Sequence, residues 1–324
     1  MECLPGCFYP TEVVFVDDNE SYLRVLSMFF QNIRDIILKT FKDPQKALDY
    51  INNRVAAQQR IHWEQENCFT PNSYALKLNV FSLHKQIYNP HRYGQISVVI
   101  ADHDLTEQYM TGIEFCRHIE DKNIQKILFT GQADRSFVIQ AFNDGIIQRY
   151  LSKGDVKDIK DILEIVKTAQ RRYFVACTAS LNVVLRSKPQ FPLAVHSEKF
   201  HQLFNHIVEQ RNIVEYYLLD GVGSFLLVDA SNKVQLLIVQ NEDQIKANCL
   251  DLQDEVEADQ LEAMKEGRLI YYSTQFWDDS PHLTHSELIP AEVLVDGSNR
   301  FFYSITDNVE AFDQKRMIFV GRKS

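Results

Sequence analysis

The first half of the chain alternates short apolar runs with amphipathic segments. The apolar runs predict five strands, at residues 12–18, 35–41, 96–102, 124–131 and 146–153. Apolar residues recur at helical spacing between the runs and predict helices at 21–33, 43–51, 112–121, 134–145 and from Asp155 onward. Because parallel strands need crossover connections, this order predicts an α/β fold, a doubly wound five-stranded parallel sheet with helices on both faces.

Two segments do not follow this alternation. Residues 54–95 form an insertion, partly helical around 79–88, that we assign to no strand of the sheet. The last helix is predicted to run from 155 to 186, because an apolar stripe continues at spacings of three and four; at ~1.5 Å per residue it would be roughly 48 Å long. Such a helix fits either the core of a second domain or a stalk between domains or between two copies of the chain.

The second half has a different pattern. The segment KPQFP (188–192) ends the long helix and marks a domain boundary. A helix at 196–210 is followed by helical sequence within 241–267 and by short apolar runs that predict strands, at 214–219, 224–229, 234–239, 268–273, 291–295, 300–305 and 317–321. Turn signals such as DASN (229–232) and DGSN (296–299) favour antiparallel connections. The expected organisation is a first domain at 1–155, a long linking helix at 156–187, and an α+β antiparallel domain at 188–324.

The composition is typical of a globular protein, with 45% apolar and 24% charged residues among 324. We find no run of the ~20 apolar residues that a membrane span needs, and no secretory signal at the N-terminus. Six cysteines are scattered without a disulfide or zinc spacing, so reduced thiols and a cytoplasmic location are expected.

Charge is uneven along the chain. Residues 188–324 contain 12 lysines and arginines against 22 acidic residues, whereas the preceding residues are balanced. Affinity for nucleic acids depends largely on cationic side chains. The second half is therefore expected to bind a protein or a small ligand rather than nucleic acid.

Five polar residues stand at the carboxyl ends of the predicted strands. Asp17 and Asp18 end the first strand, Asp102 the third, Thr130 the fourth and Lys153 the fifth. The carboxyl ends of parallel strands lie at one edge of the sheet, where ligands of such folds bind. We therefore expect three carboxylates, a hydroxyl and an ammonium group to meet there.

These residue types favour a magnesium site that accepts a phosphoryl group. Two carboxylates 4 Å apart repel by ~4 kcal/mol at an effective dielectric constant near 20, so the cluster needs a counterion. Oxygen ligands in an incomplete shell suit Mg²⁺, which keeps waters and accepts phosphate oxygens. An aspartate carboxylate is a competent nucleophile towards phosphorus.

The segments that carry these residues resemble the signature blocks of response-regulator receiver domains. The blocks are VVFVDDNE (13–20), VVIADHDL (98–105), GIEFCR (112–117), ILFTGQAD (127–134) and RYLSK (149–153). The resemblance covers residues 11–155 apart from the insertion and implies a flavodoxin-like fold. The whole chain also loosely resembles atypical receivers with an α+β output domain, some of them tied to quorum sensing.

By this resemblance, Asp102 is the phosphoacceptor. Mg²⁺ would be held by Asp17, Asp18, Asp102 and the backbone carbonyl of Asp104. Lys153 would pair with Asp102 and then with the phosphoryl group. Thr130 and Tyr150 would be the switch residues, the first binding phosphoryl oxygens and the second turning inward with it.

Two residues depart from the family pattern: Thr106 stands where a proline is usual, and Gly154 replaces the proline that often follows the lysine. Two other functions remain open. One is a receiver fold used as a phosphorylation-independent scaffold. The other is a haloacid-dehalogenase-like phosphatase, because DHDLT (102–106) matches the D-x-D-x-T opening of that family, with Asp102 as nucleophile and Asp104 as general acid.

The favoured hypothesis is a two-component response regulator without an enzymatic output. A sensor histidine kinase would phosphorylate Asp102. Phosphorylation would then shift the face formed by the 134–145 helix, the 146–153 strand and the last helix, through which a homodimer would form. The 155–186 helix would carry the change to the output domain.

Overall fold

The computed structural model describes residues 4–57, 65–66, 77–78, 81–105, 110–131, 135–156, 158–179, 181, 192–273, 286–310 and 312–320. Its strands are β1 (Cys7–Phe8), β2 (Thr11–Val16), β3 (Ile36–Phe41), β4 (Gln65–Glu66), β5 (Lys77–Leu78), β6 (Ile96–Ala101), β7 (Gln125–Thr130), β8 (Arg149–Ser152), β9 (Ile213–Leu218), β10 (Phe225–Asp229), β11 (Val234–Asn241), β12 (Leu269–Ser273), β13 (Ser286–Pro290), β14 (Glu292–Asp296) and β15 (Asn299–Thr306). Its α-helices are α1 (Glu20–Phe30), α2 (Pro44–Ala57), α3 (Phe81–His84), α4 (Gly112–Arg117), α5 (Arg135–Asn143), α6 (Ile159–Cys177), α7 (Glu198–Gln210), α8 (Glu242–Asp251) and α9 (Ala258–Glu266). None of these helices is long and apolar enough to cross a membrane.

The chain divides into two compact units. The parallel unit comprises residues 9–60 and 90–177. The antiparallel unit comprises residues 1–8, 61–89 and 178–324.

This division differs from the predicted boundaries because two segments of the first half belong to the antiparallel unit. β1 pairs with β9 as an antiparallel neighbour. Beyond α3, the Ile87 carbonyl accepts a hydrogen bond from the Ile318 N–H at 3.2 Å. The predicted insertion 54–95 is thus shared between the units, and the predicted first domain 1–155 is not one continuous segment of a single unit.

The parallel unit contains the predicted five-stranded sheet. Its strand order is β3-β2-β6-β7-β8, and every neighbouring pair is parallel. β2, β6 and β7 are buried along their whole length, as expected for strands covered on both faces. Leu23, Leu26 and Phe30 of α1 are buried at helical spacing against this sheet. The α/β fold class is confirmed.

The last helix of the parallel unit is shorter than predicted. α6 has 19 residues and ends at Cys177, although residues 179 and 181 beyond it are again helical. It begins at Ile159 instead of 155, because Asp158 accepts a hydrogen bond from the Lys160 N–H at 3.1 Å and so caps the first turn. Residues 180 and 182–186 of the predicted helix lie outside the described residues.

The antiparallel unit is built on a six-stranded sheet of order β1-β9-β10-β11-β15-β14. β12 and β13 form a separate two-stranded sheet. The DGSN turn joins β14 to β15, with Gly297 at φ 61°. The α+β antiparallel class is confirmed, although residues 317–320 of the predicted last strand are not a strand and β13 was not predicted.

Candidate functional site

The carboxyl ends of β2, β6, β7 and β8 bring the predicted polar residues to one edge of the parallel sheet. Asp17 and Asp18 follow β2, and Asp102 follows the neighbouring β6. The Asp102 N–H donates to the Val16 carbonyl at 2.9 Å, which extends the strand pairing up to the acid itself. The Lys153 N–H donates to the Thr130 carbonyl at 2.8 Å in the same way.

Lys153 joins two of the acids. Its Nζ lies 2.9 Å from Asp17 Oδ2 and 2.6 Å from Asp102 Oδ2. Asp17 is fully buried and Asp102 is 5% exposed, whereas a third of the Lys153 side chain is exposed. Charge-assisted hydrogen bonds in such partly buried surroundings are stronger than neutral ones. The ammonium group therefore holds the two carboxylates in place.

Burial and pairing act in opposite directions on these groups. Burial raises the pKa of Asp17, and the hydrogen bonds from Lys153 and from the Asn19 N–H offset part of that rise. For Lys153, burial alone would lower the pKa, but the hydrogen bonds and charges of Asp102 and Asp17 raise it above the usual lysine value. The lysine therefore stays charged at neutral pH.

The donor set fits a divalent cation. Asp17, Asp18 and Asp102 each offer a carboxylate oxygen, and these oxygens lie within 4.8 Å of one another. Asp18 is partly exposed, so the cluster is open to solvent on one side. Three hard oxygen ligands with an open side match the incomplete protein shell that Mg²⁺ accepts.

Asp104 and Thr106 follow the central acid. The Asp104 N–H donates to Asp102 Oδ1 at 3.3 Å, and the Asp104 side chain is exposed. Thr106, on which both the departure from the receiver pattern and the phosphatase motif depend, lies outside the described residues. The ligand role of the Asp104 carbonyl stays a prediction.

Thr130 and Tyr150 are placed on adjacent strands. Thr130 is buried at the end of β7, beside the acids. Tyr150 lies in β8 with its Cα opposite Leu128 and is partly exposed. Their switch roles stay predictions.

Two aromatic rings that the sequence did not single out bracket the lysine. Lys153 Nζ lies 5.8 Å from the centre of the Tyr22 ring and 5.6 Å from that of Phe129. The two rings stack with their centres 6.0 Å apart. Burial raises the pKa of the Tyr22 hydroxyl to about 12, so it stays protonated. The two rings limit where the ammonium group can move. The sequence gives only a weak indication of this, since Tyr22 lies three residues after Asn19 and Phe129 directly precedes Thr130.

Gly112 is a third residue whose role the sequence did not indicate. It begins α4, and a Cβ at this position would lie 2.2 Å from the Asp102 carbonyl oxygen. Thr111 caps the helix, because its side chain accepts from the Glu114 N–H while Glu114 accepts from Thr111. The start of α4 is therefore pressed against the backbone of the central acid, which only a glycine allows.

Comparison with solved structures gives a match over nearly the full length of the chain. The structure of the Legionella pneumophila response regulator LqsR is 29% identical, covers 98% of this chain and 95% of its own, and superposes with a TM-score of 0.75. No family model and no curated protein matches the chain.

Solved single receiver domains match about half of the chain. The CheY-like receiver domain protein of Methanospirillum hungatei is 15% identical over 51% of this chain and 96% of its own, with a TM-score of 0.32. The signal receiver domain of an HD domain-containing protein from Pseudomonas fluorescens is 20% identical over 51% of this chain and 97% of its own, with a TM-score of 0.34. TM-scores this low support no conclusion about this chain beyond that of the full-length match. From its fold and that match, the parallel unit is similar to a receiver domain, and the chain as a whole is similar to a response regulator.

Proposed function

We propose that the protein is a two-component response regulator that accepts a phosphoryl group on Asp102 from a sensor histidine kinase. The observation that supports this most is the joint position of three carboxylates within 4.8 Å and of Lys153 Nζ at 2.6 Å from Asp102 Oδ2. A nucleophilic carboxylate, its counterion and a set of oxygen ligands are thereby present at one solvent-accessible edge.

In the proposed reaction a carboxylate oxygen of Asp102 attacks the phosphorus of a phosphohistidine. The new O–P bond forms as the P–N bond breaks, and the electron pair of that bond leaves with the imidazole of the kinase. Mg²⁺ held by Asp17, Asp18 and Asp102 would neutralise charge on the phosphoryl oxygens. Lys153 stays within reach of Asp102 and would pair with the phosphoryl group, which carries a charge of ~−2.

The change at Asp102 would reach the rest of the domain through Thr130 and Tyr150. Thr130 stands beside the acid and would hydrogen-bond the phosphoryl oxygens, while Tyr150 would turn inward. A dimer would form through α5, β8 and α6. The large apolar side chains that α5 exposes support this, since Phe137, Ile139 and Phe142 are 62%, 59% and 56% exposed.

The antiparallel unit would be the output domain. α6 ends at Cys177, and the chain enters the antiparallel unit at residue 178, so α6 is the element through which a change would pass along the chain. With 22 acidic residues against 12 basic ones in 188–324, a protein or small-ligand partner is favoured over nucleic acid.

Phosphorylation is tested by incubating the full chain with acetyl phosphate and Mg²⁺ and measuring its intact mass. We expect the wild type to gain the mass of one phosphoryl group, and Asp102→Asn to gain none. The exposed Asp144→Asn removes the same charge elsewhere in the parallel unit and should react like the wild type. Chelating Mg²⁺ should abolish uptake in the wild type and in Asp144→Asn.

Uptake by Asp102→Asn equal to that of the wild type would contradict the proposal, as would uptake that is insensitive to chelation. For the dimer, addition of beryllofluoride should raise the mass measured by light scattering in the wild type. Phe142→Ser should remain monomeric while still binding beryllofluoride; a dimer of unchanged strength in that variant would rule out this face.

A further inference from the structure

A cavity of about 640 Å³ opens in the antiparallel unit. It lies between α8, β12, the second half of β11 and the turn that begins at Asp220. All its lining residues fall within 220–273, so it belongs to one unit. The volume is within the ~300–1,000 Å³ of ordinary small-molecule sites.

The face of α8 that lines this cavity is polar. Ile245 and Cys249 of the same helix are buried, as expected for packing. Gln244, Asn248 and Asp251, spaced by four and three residues, line the cavity instead. The polar side chains of this face are therefore the groups of α8 that a ligand in the cavity would meet.

Hydrogen bonds hold the amide side chains of the cavity wall in place. Gln240, which is 6% exposed, donates through Nε2 to the Tyr271 carbonyl at 2.6 Å. Its Oε1 accepts from Asn248 Nδ2 at 3.2 Å. The wall is therefore organised before any ligand binds, which reduces the entropy that binding would cost.

The lining is strongly acidic. Asp220, Asp251 and Glu255 contribute carboxylates, and no lysine, arginine or histidine is among the lining residues that the structure describes. Asp220 Oδ1 is fixed by the N–H groups of Val222 and Gly223, both at 2.9 Å, and of Ser224 at 3.1 Å. Only a cationic ligand would neutralise the negative charge of these three carboxylates.

The size and lining of the cavity decide which kind of cation fits. Among the described residues, the three acids close enough to share one metal ion are Asp17, Asp18 and Asp102. A cavity of about 640 Å³ that is lined by several carboxylates and by the apolar side chains of Ala247, Leu252 and Val239 suits a larger cation, with several positive groups on a hydrocarbon chain.

We infer that this cavity binds a linear organic cation with two or more amino groups, an alkyl diamine or polyamine. Its ammonium groups would lie at the carboxylates and its methylene groups against the apolar residues. This binding does not depend on phosphorylation of Asp102 and adds a small-molecule input to the output domain.

Binding is tested by isothermal titration calorimetry of the full chain with spermidine and putrescine. We expect saturable binding with one site per chain, and no binding of butanediol, which has the length of putrescine but no charge. Raising the salt concentration should weaken the affinity, since the contacts are between charges.

Three variants distinguish binding inside the cavity from attraction to the overall negative charge of the antiparallel unit. Asp251→Asn should weaken binding about tenfold, equivalent to about 1.4 kcal/mol. Asp254→Asn removes the same charge three residues further along the chain, outside the lining, and should leave the affinity within about twofold. Ala247→Leu, at an exposed helix position of the lining, keeps every charge and should weaken binding by narrowing the cavity. A circular dichroism spectrum and melting curve like those of the wild type show that each variant folds.

The proposal fails if spermidine does not bind, or if butanediol binds as tightly as putrescine. It also fails if Asp254→Asn weakens binding as much as Asp251→Asn, or if Ala247→Leu binds normally, because spermidine would then be attracted only by the overall charge.

Discussion

At the scale of single residues, the candidate site depends on one cation. Lys153 contacts Asp17 and Asp102 at once, and two aromatic rings limit its position. Without it, two carboxylates at the same edge would face each other with no cationic partner among the side chains that the structure describes. The stability of the parallel unit and its affinity for a divalent cation are therefore linked through this side chain.

Lys153→Met should lower the free energy of unfolding by about 1–2 kcal/mol, because two charge-assisted hydrogen bonds are lost at a partly solvent-screened position. Mg²⁺ should then stabilise the variant more than the wild type, since it replaces the missing positive charge. Urea unfolding with and without Mg²⁺ measures both effects. Lys160→Met, at an exposed position of α6, serves as the control; equal stabilisation of Lys153→Met and wild type by Mg²⁺ would contradict the prediction.

Gly112→Ala should disturb the central acid without touching its side chain. The new Cβ would lie 2.2 Å from the Asp102 carbonyl oxygen, so either the start of α4 or the end of β6 must shift. We expect a loss of about 1–3 kcal/mol in stability and slower uptake of phosphoryl groups from acetyl phosphate. Gly154→Ala, whose Cβ would be 3.6 Å from Ser152 Oγ, should change neither measurement.

The sequence predicted the acids and the lysine because their place depends on a general property of parallel sheets. Asp17, Asp102 and Lys153 each follow an apolar strand, and strand ends of one direction share an edge. Gly112, Tyr22 and Phe129 were not predicted. Their importance depends on the path of a loop and on a ring-to-ring contact between a helix and a distant strand, which no local pattern encodes.

At the scale of helices and strands, the end of α9 lies so close to a neighbouring strand that there is no room for a side chain. α9 is capped at its C-terminus by Gly267, which has φ 77°. A Cβ there would lie 1.9 Å from the ring of Phe302 in β15. The end of α9 can therefore pack this closely against the sheet only because Gly267 has no side chain.

Gly267→Ala should therefore cost more than Gly297→Ala. Both glycines have positive φ, 77° and 61°, so both variants bear a similar backbone cost of ~1–2 kcal/mol. A Cβ at Gly297 meets nothing within 4 Å, so the additional loss at Gly267, about 1–3 kcal/mol, reports the collision with Phe302. Urea unfolding of the two variants gives the difference; equal losses would show that the ring moves aside freely.

Cys116, inside α4, should be unreactive while the parallel unit is folded. It is fully buried, and burial raises the pKa of its thiol to about 12. At pH 8 its alkylation should be slower by roughly a thousandfold than that of an ordinary thiol, because only the thiolate reacts. The unfolded state loses the thiol proton at a lower pH than the folded state, so this group lowers stability as the pH rises above ~8.5.

Peptide mass spectrometry after a pulse of iodoacetamide measures this reactivity. The same residue in urea is the control and should be labelled fully. Rapid labelling of Cys116 in the native protein would show that α4 opens readily.

At the scale of the whole molecule, the two units are interleaved along the chain. The antiparallel unit takes its edge strand β1 from the N-terminus and α3 from the middle of the first half. Sequence patterns could not reveal this. β1 has two residues, too few for a periodic pattern, and the partner of Ile87 is Ile318, more than two hundred residues away.

Residues 188–324 alone should therefore not fold as the full chain does. Without β1, the edge of β9 that carries the fully buried Tyr217 loses its partner strand, and the 81–88 segment is missing from the unit. We expect no cooperative thermal transition of this fragment by circular dichroism. The full chain is the control; a fragment that melts at the temperature of the full chain would show that β1 and α3 contribute nothing.

The interleaving also fixes an order of events during synthesis. β2 to β8 leave the ribosome before β9 has been translated, so the parallel sheet can form first. At that stage the strands of the antiparallel unit that β1 and α3 contact have not yet been synthesised. Until the last hundred or so residues emerge, two apolar segments remain exposed on a nascent chain, which is when chaperones bind and aggregation begins. A ribosome that stalls in the second half would release a finished receiver fold together with these two unpartnered segments, a product that quality-control proteases can recognise.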